Sequence, residues 1–258
     1  MSSSAESRSW AVVTGASDGI GRALVHELSK QNFNVLAIGR SQKKLDELVA
    51  EFKGETLLEV HTMEFNSPGS AEAIQRLVGD KQVHVFSPTA GFGSSGDFVD
   101  LNLSKELEMI DVNCRAVVEQ SQLFAQRFKD QGAGTLIMFS SILGFSGAGT
   151  SATYAATKNF IQAFSEGLRF ELKPFGVKVL TICPALTSTG FAEASKMSFS
   201  SADSAASVAQ GIVKKLGKSA TVYPTPRARF LAFSLVMVPR SIRVLILSKV
   251  MGDMQSGH

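Results

Sequence analysis

The feature that most constrains this chain is a repeated alternation of short apolar runs with longer amphipathic ones. The runs are WAVVTG (10–15), NVLAIG (34–39), LLEVHT (57–62), VHVFS (83–87), TLIMFS (135–140) and VKVLTIC (177–183). They are rich in Val, Ile, Leu and Phe and lack a clear polar alternation, which marks strands buried on both faces. Helical periodicity fills the gaps near 19–31, 42–53, 69–78, 104–130 and 153–173. Ser41 is a suitable N-cap for QKKLDELVAEF, where Leu45, Leu48, Val49 and Phe52 recur at helical spacing. Repeated strand–helix–strand units require right-handed crossovers, hence a parallel sheet covered by helices on both sides. TVYP (221–224) adds a last short strand, and the small polar stretch 188–206 reads as a mobile loop.

Composition narrows the classes further. At 258 residues with 44% apolar and 19% charged residues, the chain can bury a substantial core. Cys114 and Cys183 lie in apolar or helical stretches, which fits a reducing compartment without a disulfide framework. The four scattered histidines have no paired ligand spacing, so no metal site is expected. MSSSAESRSW has no apolar core of a secretory signal. Residues 1–9 read as a flexible arm, residues 10–225 as one domain, and the expected location is cytoplasmic, with membrane association left open.

TGASDGIG (14–21) follows the first strand and opens the first helix. A strand-to-helix turn of this kind aims unpaired N–H groups and the positive helix end at one point, a site suited to pyrophosphate. Gly15, Gly19 and Gly21 allow the tight turn and close backbone approach, with Ser17, Asp18 and Ile20 lining it. The end of the second strand selects between dinucleotides. An acidic residue there would hold a ribose hydroxyl; this chain has Gly39 followed by Arg40, which suits the 2′-phosphate of NADP(H). Asp18 works against that choice.

Tyr154 and Lys158, in TYAATKNF, fall one helical turn apart on the same face. To exchange protons near neutrality the phenol must fall from about 10 to about 7, roughly 4 kcal/mol. An ammonium about 5 Å away, at an effective dielectric near 20, supplies about 3.3 kcal/mol. Lys158 is therefore expected to provide most of the shift that makes Tyr154 a proton donor, and the positive nicotinamide of an oxidised cofactor the rest.

With these residues in place the chain resembles the short-chain dehydrogenase/reductase family over nearly its whole length. The matching elements are Thr14–Gly21, Ala90-Gly91 after the fourth strand, Asn113 in IDVNCRA, Ser141 thirteen residues before the tyrosine, and Tyr154 with Lys158. The resemblance implies a single-domain Rossmann-type doubly wound α/β fold with a C-terminal helical extension. It implies NADP(H) as cofactor and transfer of hydride to or from a ketone or secondary alcohol. Ser141 would hold the carbonyl oxygen, Tyr154 would be the general acid/base, Lys158 would also reach a ribose hydroxyl, and Asn113 would hold a water leading to Lys158. Pro184 and Thr189 would border the nicotinamide. The family usually has two asparagines where this chain has Pro88 and Thr89, and a glycine where it has Ala185. The rival readings are a non-catalytic nucleotide-binding regulator and a peripheral membrane protein on the same fold.

The charge is uneven. Residues 1–203 hold 18 basic and 22 acidic groups, yet no acidic residue lies between Asp203 and Asp253, where eight basic ones do. Two apolar segments, 230–238 and a helical one after Arg240, are divided by Pro239. Neither is long enough to span a bilayer. Residues 226–258 suit an anchor on anionic lipid, and equally a lid over an apolar substrate or a dimer contact. This tail loosely resembles the family's branch acting on long-chain 3-ketoacyl or steroid-like carbonyls. The basic segment lacks the aromatic interleaving of a nucleic-acid surface, so no nucleic-acid partner is expected. A homodimer or homotetramer on the helices 104–130 and 153–173 is expected from the resemblance.

Overall fold

The computed structural model describes residues 8–188 and 202–256. The principal strands are β1 (Trp10–Thr14), β2 (Asn34–Gly39), β3 (Leu58–Thr62), β4 (Val83–Pro88), β5 (Gly134–Phe139) and β6 (Val177–Ile182). The two-residue strands β7 (Thr187–Ser188), β8 (Asp203–Ser204) and β9 (Thr221–Val222) follow. The helices are α1 (Gly19–Ser29), α2 (Gln42–Glu51), α3 (Ser70–Val78), α4 (Leu103–Ile110), α5 (Ala116–Gln131), α6 (Ala152–Leu172), α7 (Ala205–Val213), α8 (Pro226–Val236) and α9 (Arg240–Ser256). Seven strands form one parallel sheet in the order β3-β2-β1-β4-β5-β6-β9.

Side-chain alternation along each strand divides the interior into two cores. Trp10, Val12, Leu36, Ile38, Leu136 and Met138 face α3, α5 and α6, where Ile74, Phe124 and Ile161 meet them. Their neighbours Ala11, Val13, Val35, Ala37 and Ile137 face α1, α2 and α7, packing on Leu24, Leu45 and Val208. A strand that serves two cores cannot alternate apolar with polar, which is why these runs are continuous.

The structure refines several expectations. The helix expected over 104–130 exists, but a π-helical turn at Asp111–Arg115 interrupts it between α4 and α5. The stretch 188–206 is not wholly a loop: β7 pairs with β8, and Ser204 caps α7 by accepting a hydrogen bond from Ser207 N at 3.1 Å. The signal for α7 was present in Ser204 and in Val208 and Ile212 four residues apart. Residues 189–201, including Thr189, lie outside the described residues, as do residues 1–7 of the expected arm. Arg8 and Ser9 are already tied down, through Glu55 O and Asn34 N respectively.

Pro88 costs the sheet little. The β4–β5 ladder ends at Phe86–Leu136, so no β5 carbonyl awaits a donor from residue 88. One residue on, Thr89 N donates to Thr14 O at 3.1 Å and closes the β1–β4 ladder.

The first core rests on Phe124, fully buried and stacked on Phe86 with ring centroids 3.9 Å apart. Phe124→Ala is expected to lower unfolding stability by about 3–5 kcal/mol, read from the urea midpoint, because the sheet cannot collapse into the space left.

Candidate active site

The C-terminal ends of β1, β2, β4, β5 and β6 open onto one cavity of about 390 Å³. At one end lies the glycine turn. Gly15 has φ +69°, and a Cβ there would stand 2.5 Å from Ala90 N. A Cβ at Gly21 would stand 2.2 Å from Gly15 O. Only glycine lets the turn lie this flat between the β4 exit and the start of α1. Ser17, Gly19 and Ile20 complete that wall. The first-turn N–H groups of α1 have no carbonyl partner within the helix, so the turn fits a bound diphosphate.

Asp18 caps α1, its carboxylate accepting from Gly19 N at 2.6 Å. Lys44, in the first turn of α2, pairs with the other carboxylate oxygen. Asp18 therefore meets the cavity already partnered by a cation, and Arg40 stands exposed at the same rim. Gly39, between them, leaves no room for a side chain: a Cβ would lie 2.7 Å from the Ser17 Cβ. Lys44 was not anticipated from the sequence, although it follows Arg40 by four residues in the segment that Ser41 caps.

At the other end, α6 presents Tyr154 and Lys158 to the cavity, one turn apart as their spacing requires. Ala90, Gly91 and Pro184 also line it. Lys158 Nζ donates to Phe139 O at 3.0 Å and stands 5.6 Å from the centre of the Tyr154 ring. Burial pushes the phenol well above its ordinary value, while a hydrogen bond from Ser141 pulls it the other way. Burial likewise lowers Lys158 to about 8. Desolvation is a contribution that the expected attraction between Lys158 and Tyr154 does not include, and Ser141 is a further group that favours the phenolate.

Ser141 and Ser140 have separate tasks. Ser141 caps a short 3-10 turn, Ile142–Phe145, accepting from Leu143 N at 3.2 Å, and its hydroxyl also reaches the phenol. Ser140 faces the cavity and donates to Lys158 O at 2.9 Å. Asn113 sits in the π-helical turn and acts as a clamp. Its Nδ2 donates to Phe92 O at 2.8 Å and to Thr157 Oγ1 at 3.2 Å, and its Oδ1 accepts from Phe92 N at 3.1 Å. Both amide protons are thus used, leaving one lone pair of Oδ1 for the water expected there. The clamp joins the β4 exit to α6 beside Tyr154.

Ala185 is buried with Ile142, Leu143 and Tyr154 in a third apolar cluster that α8 and α9 complete through Ala228, Leu235, Leu247 and Met251. Its methyl group thus belongs to the packing that joins the tail to the site. Thr187 reaches the cavity two residues before the expected Thr189, and its Oγ1 donates to Ala185 O at 3.0 Å. Phe65, Phe92, Val112 and Leu186 give the cavity an apolar lining that no motif announced.

The short chain dehydrogenase family model matches residues 9–198. An uncharacterized oxidoreductase of Staphylococcus epidermidis is 32% identical over 185 residues, 71% of this chain and 80% of that protein. The very-long-chain 3-oxoacyl-CoA reductase-B of Danio rerio is 30% identical over 186 residues, 70% of this chain but only 60% of that longer protein. Among solved structures, a short-chain dehydrogenase from Sphingobium yanoikuyae in complex with NADPH superposes with a TM-score of 0.80 at 24% identity, covering 88% of this chain and 92% of that one. A 7beta-hydroxysteroid dehydrogenase superposes with a TM-score of 0.82 at 23% identity, covering 93% and 96%. These two structures share the fold. With the family match spanning most of its length, from the first strand past the tyrosine–lysine pair, the chain belongs to the short-chain dehydrogenases.

Proposed function

We propose that the protein is an NADP(H)-dependent oxidoreductase that interconverts an apolar ketone and its secondary alcohol. The observation that carries this reading is one cavity with a glycine turn, Arg40 and Lys44 at one end and Tyr154 and Lys158 at the other, with Ser141 hydrogen-bonded to Tyr154 behind the lining. Bound there, the nicotinamide supplies or accepts the hydride. The chain's own residues handle the oxygen and the proton. In the reductive direction the Ser141 hydroxyl holds the carbonyl oxygen. Tyr154 gives that oxygen its proton, and the Lys158 ammonium and Ser141 stabilise the phenolate left behind. Asn113 fixes the β4 exit against α6 and so keeps Tyr154 in place.

Preference for NADP(H) is supported by Arg40 at the rim, the absence of an acidic side chain at residue 39, and the pairing of Asp18 with Lys44. An apolar substrate is supported by Phe92, Val112 and Leu186 in the lining, and by the relatives that act on long-chain oxoacyl and steroid groups. Exposed apolar side chains on α4 and α6, Leu103 and Phe170 among them, support assembly into a dimer or tetramer.

Three outcomes test the reading. Fluorescence titration is expected to give tighter binding of NADPH than of NADH, and Arg40→Ala to weaken NADPH by about 10-fold or more while leaving NADH nearly unchanged; equal losses for both would remove Arg40 as the phosphate reader. Tyr154→Phe is expected to keep NADPH affinity and lose about 10²–10⁴-fold in carbonyl reduction. The third concerns pH. The unfolded chain holds the Lys158 proton up to about 10.5 and the folded one only to about 8, so the unfolded state binds more protons between those values. This group's contribution to stability therefore rises with pH across that window. The melting-temperature difference between Lys158→Met and the parent, measured without cofactor, should shift in the parent's favour from pH 8 to 10.5.

A further inference from the structure

We propose that the outer face of α8 and α9 is a docking surface for an anionic phospholipid membrane. Both helices are apolar on two sides. The inner side is already occupied: Ala228, Leu235, Leu247 and Met251 are buried in the cluster around Ile142, Leu143 and Ala185, and Ala232 is buried as well. The inner side of the segment is therefore already packed against the body. A second stripe points outward, with Phe230 71%, Phe233 68% and Met237 71% exposed from α8 and its end. On α9 the same is true of Ile242 at 47%, Leu245 at 69% and Ile246 at 41%. These residues recur at helical spacing, so each helix carries a continuous apolar line on its solvent side.

Charge chooses the occupant. Arg229, Arg240 and Lys249 are exposed around this stripe, and no acidic residue occurs between Asp203 and Asp253. Two copies meeting through this face would bring like charges together, whereas an anionic lipid surface complements both the charge and the apolar line. Among the described residues no helix is long and apolar enough to cross a membrane, and Pro239 divides the segment. The pair of helices lies on the surface rather than through it. Besides the packing of its inner side, hydrogen bonds tie it to the body: Arg243 donates to Phe145 O at 3.2 Å, and Gly149 N donates to Ser248 Oγ at 2.7 Å. Both contacts fall in the segment that leads to Tyr154, and the inner side of the helix pair packs beside that residue.

The test is co-sedimentation of the full chain with phosphatidylcholine vesicles, with and without about one-third phosphatidylglycerol. The partner sample is the double variant Phe233→Glu with Leu245→Glu, two outward positions whose replacement leaves the inner packing alone. The expected result is binding to the anionic vesicles, at least about 10-fold weaker binding to pure phosphatidylcholine, and a similar loss in the variant. Melting temperature and NADPH titration of the variant should match the parent, so a loss of vesicle binding is separable from misfolding and from any failure of the cofactor reading. The proposal is overturned if the parent stays in solution with anionic vesicles or if the variant sediments equally. It is also overturned if light scattering shows the variant halving a parental oligomer that never binds vesicles, which would make this face a contact between copies.

Discussion

Burial of the central sheet on both faces governs the rest of the molecule. Strands whose alternate side chains feed two apolar cores have no polar face to lend to chemistry. Reactive groups are confined to the strand ends, where chain direction makes all of the parallel strands finish on one side. There the loops after β1, β2, β4, β5 and β6 converge, and the cavity is lined by residues from each. The glycine turn, the Phe92 segment and Ser140–Ser141 are neighbours because β1, β4 and β5 are neighbours. The helix carrying Tyr154 packs on one of the two cores, so the catalytic end inherits its rigidity from the same burial.

That burial sets a conflict inside the site. The proposed reaction uses Tyr154 and Lys158 as charged species, yet their surroundings favour neutral forms of both, raising the phenol and lowering the ammonium. Hydrogen bonds offset part of the cost: Ser141 supports the phenolate form, and Phe139 O accepts from the ammonium. A phenol in the role proposed for Tyr154 would respond to whatever charge is brought beside it, because its partly buried surroundings screen that charge less than bulk water does.

Much of this was legible in the sequence because it depends on local periodicity and short spacing. Continuous apolar runs announced the strands, and Gly15, Gly19 and Gly21 announced the turn. A separation of four residues put Tyr154 and Lys158 on one face. What stayed hidden depends on contacts between distant segments. Nothing in the local pattern around Asn113 shows that its amide will clamp Phe92, or that the helix passes through a π-helical turn there. The ion pair of Asp18 with Lys44 spans 26 residues and converts an unfavourable acidic residue into a partnered one. A pairwise Coulomb sum for Tyr154 and Lys158 also leaves out desolvation, which only three-dimensional packing reveals.

The tight fit at Gly39 limits how this scaffold can change. A carboxylate that would grip a ribose hydroxyl belongs at the end of β2, but any side chain there meets Ser17, itself part of the diphosphate turn. Exchanging one dinucleotide for another is therefore not a single-residue step along an evolutionary or engineering path. Residue 17 must shrink or shift first, and a shift disturbs the turn that both dinucleotides need. Cofactor choice and turn geometry are thereby coupled, so the most accessible single changes are those at residues 40 and 44, which would alter the grip on the proposed 2′-phosphate without reopening the turn.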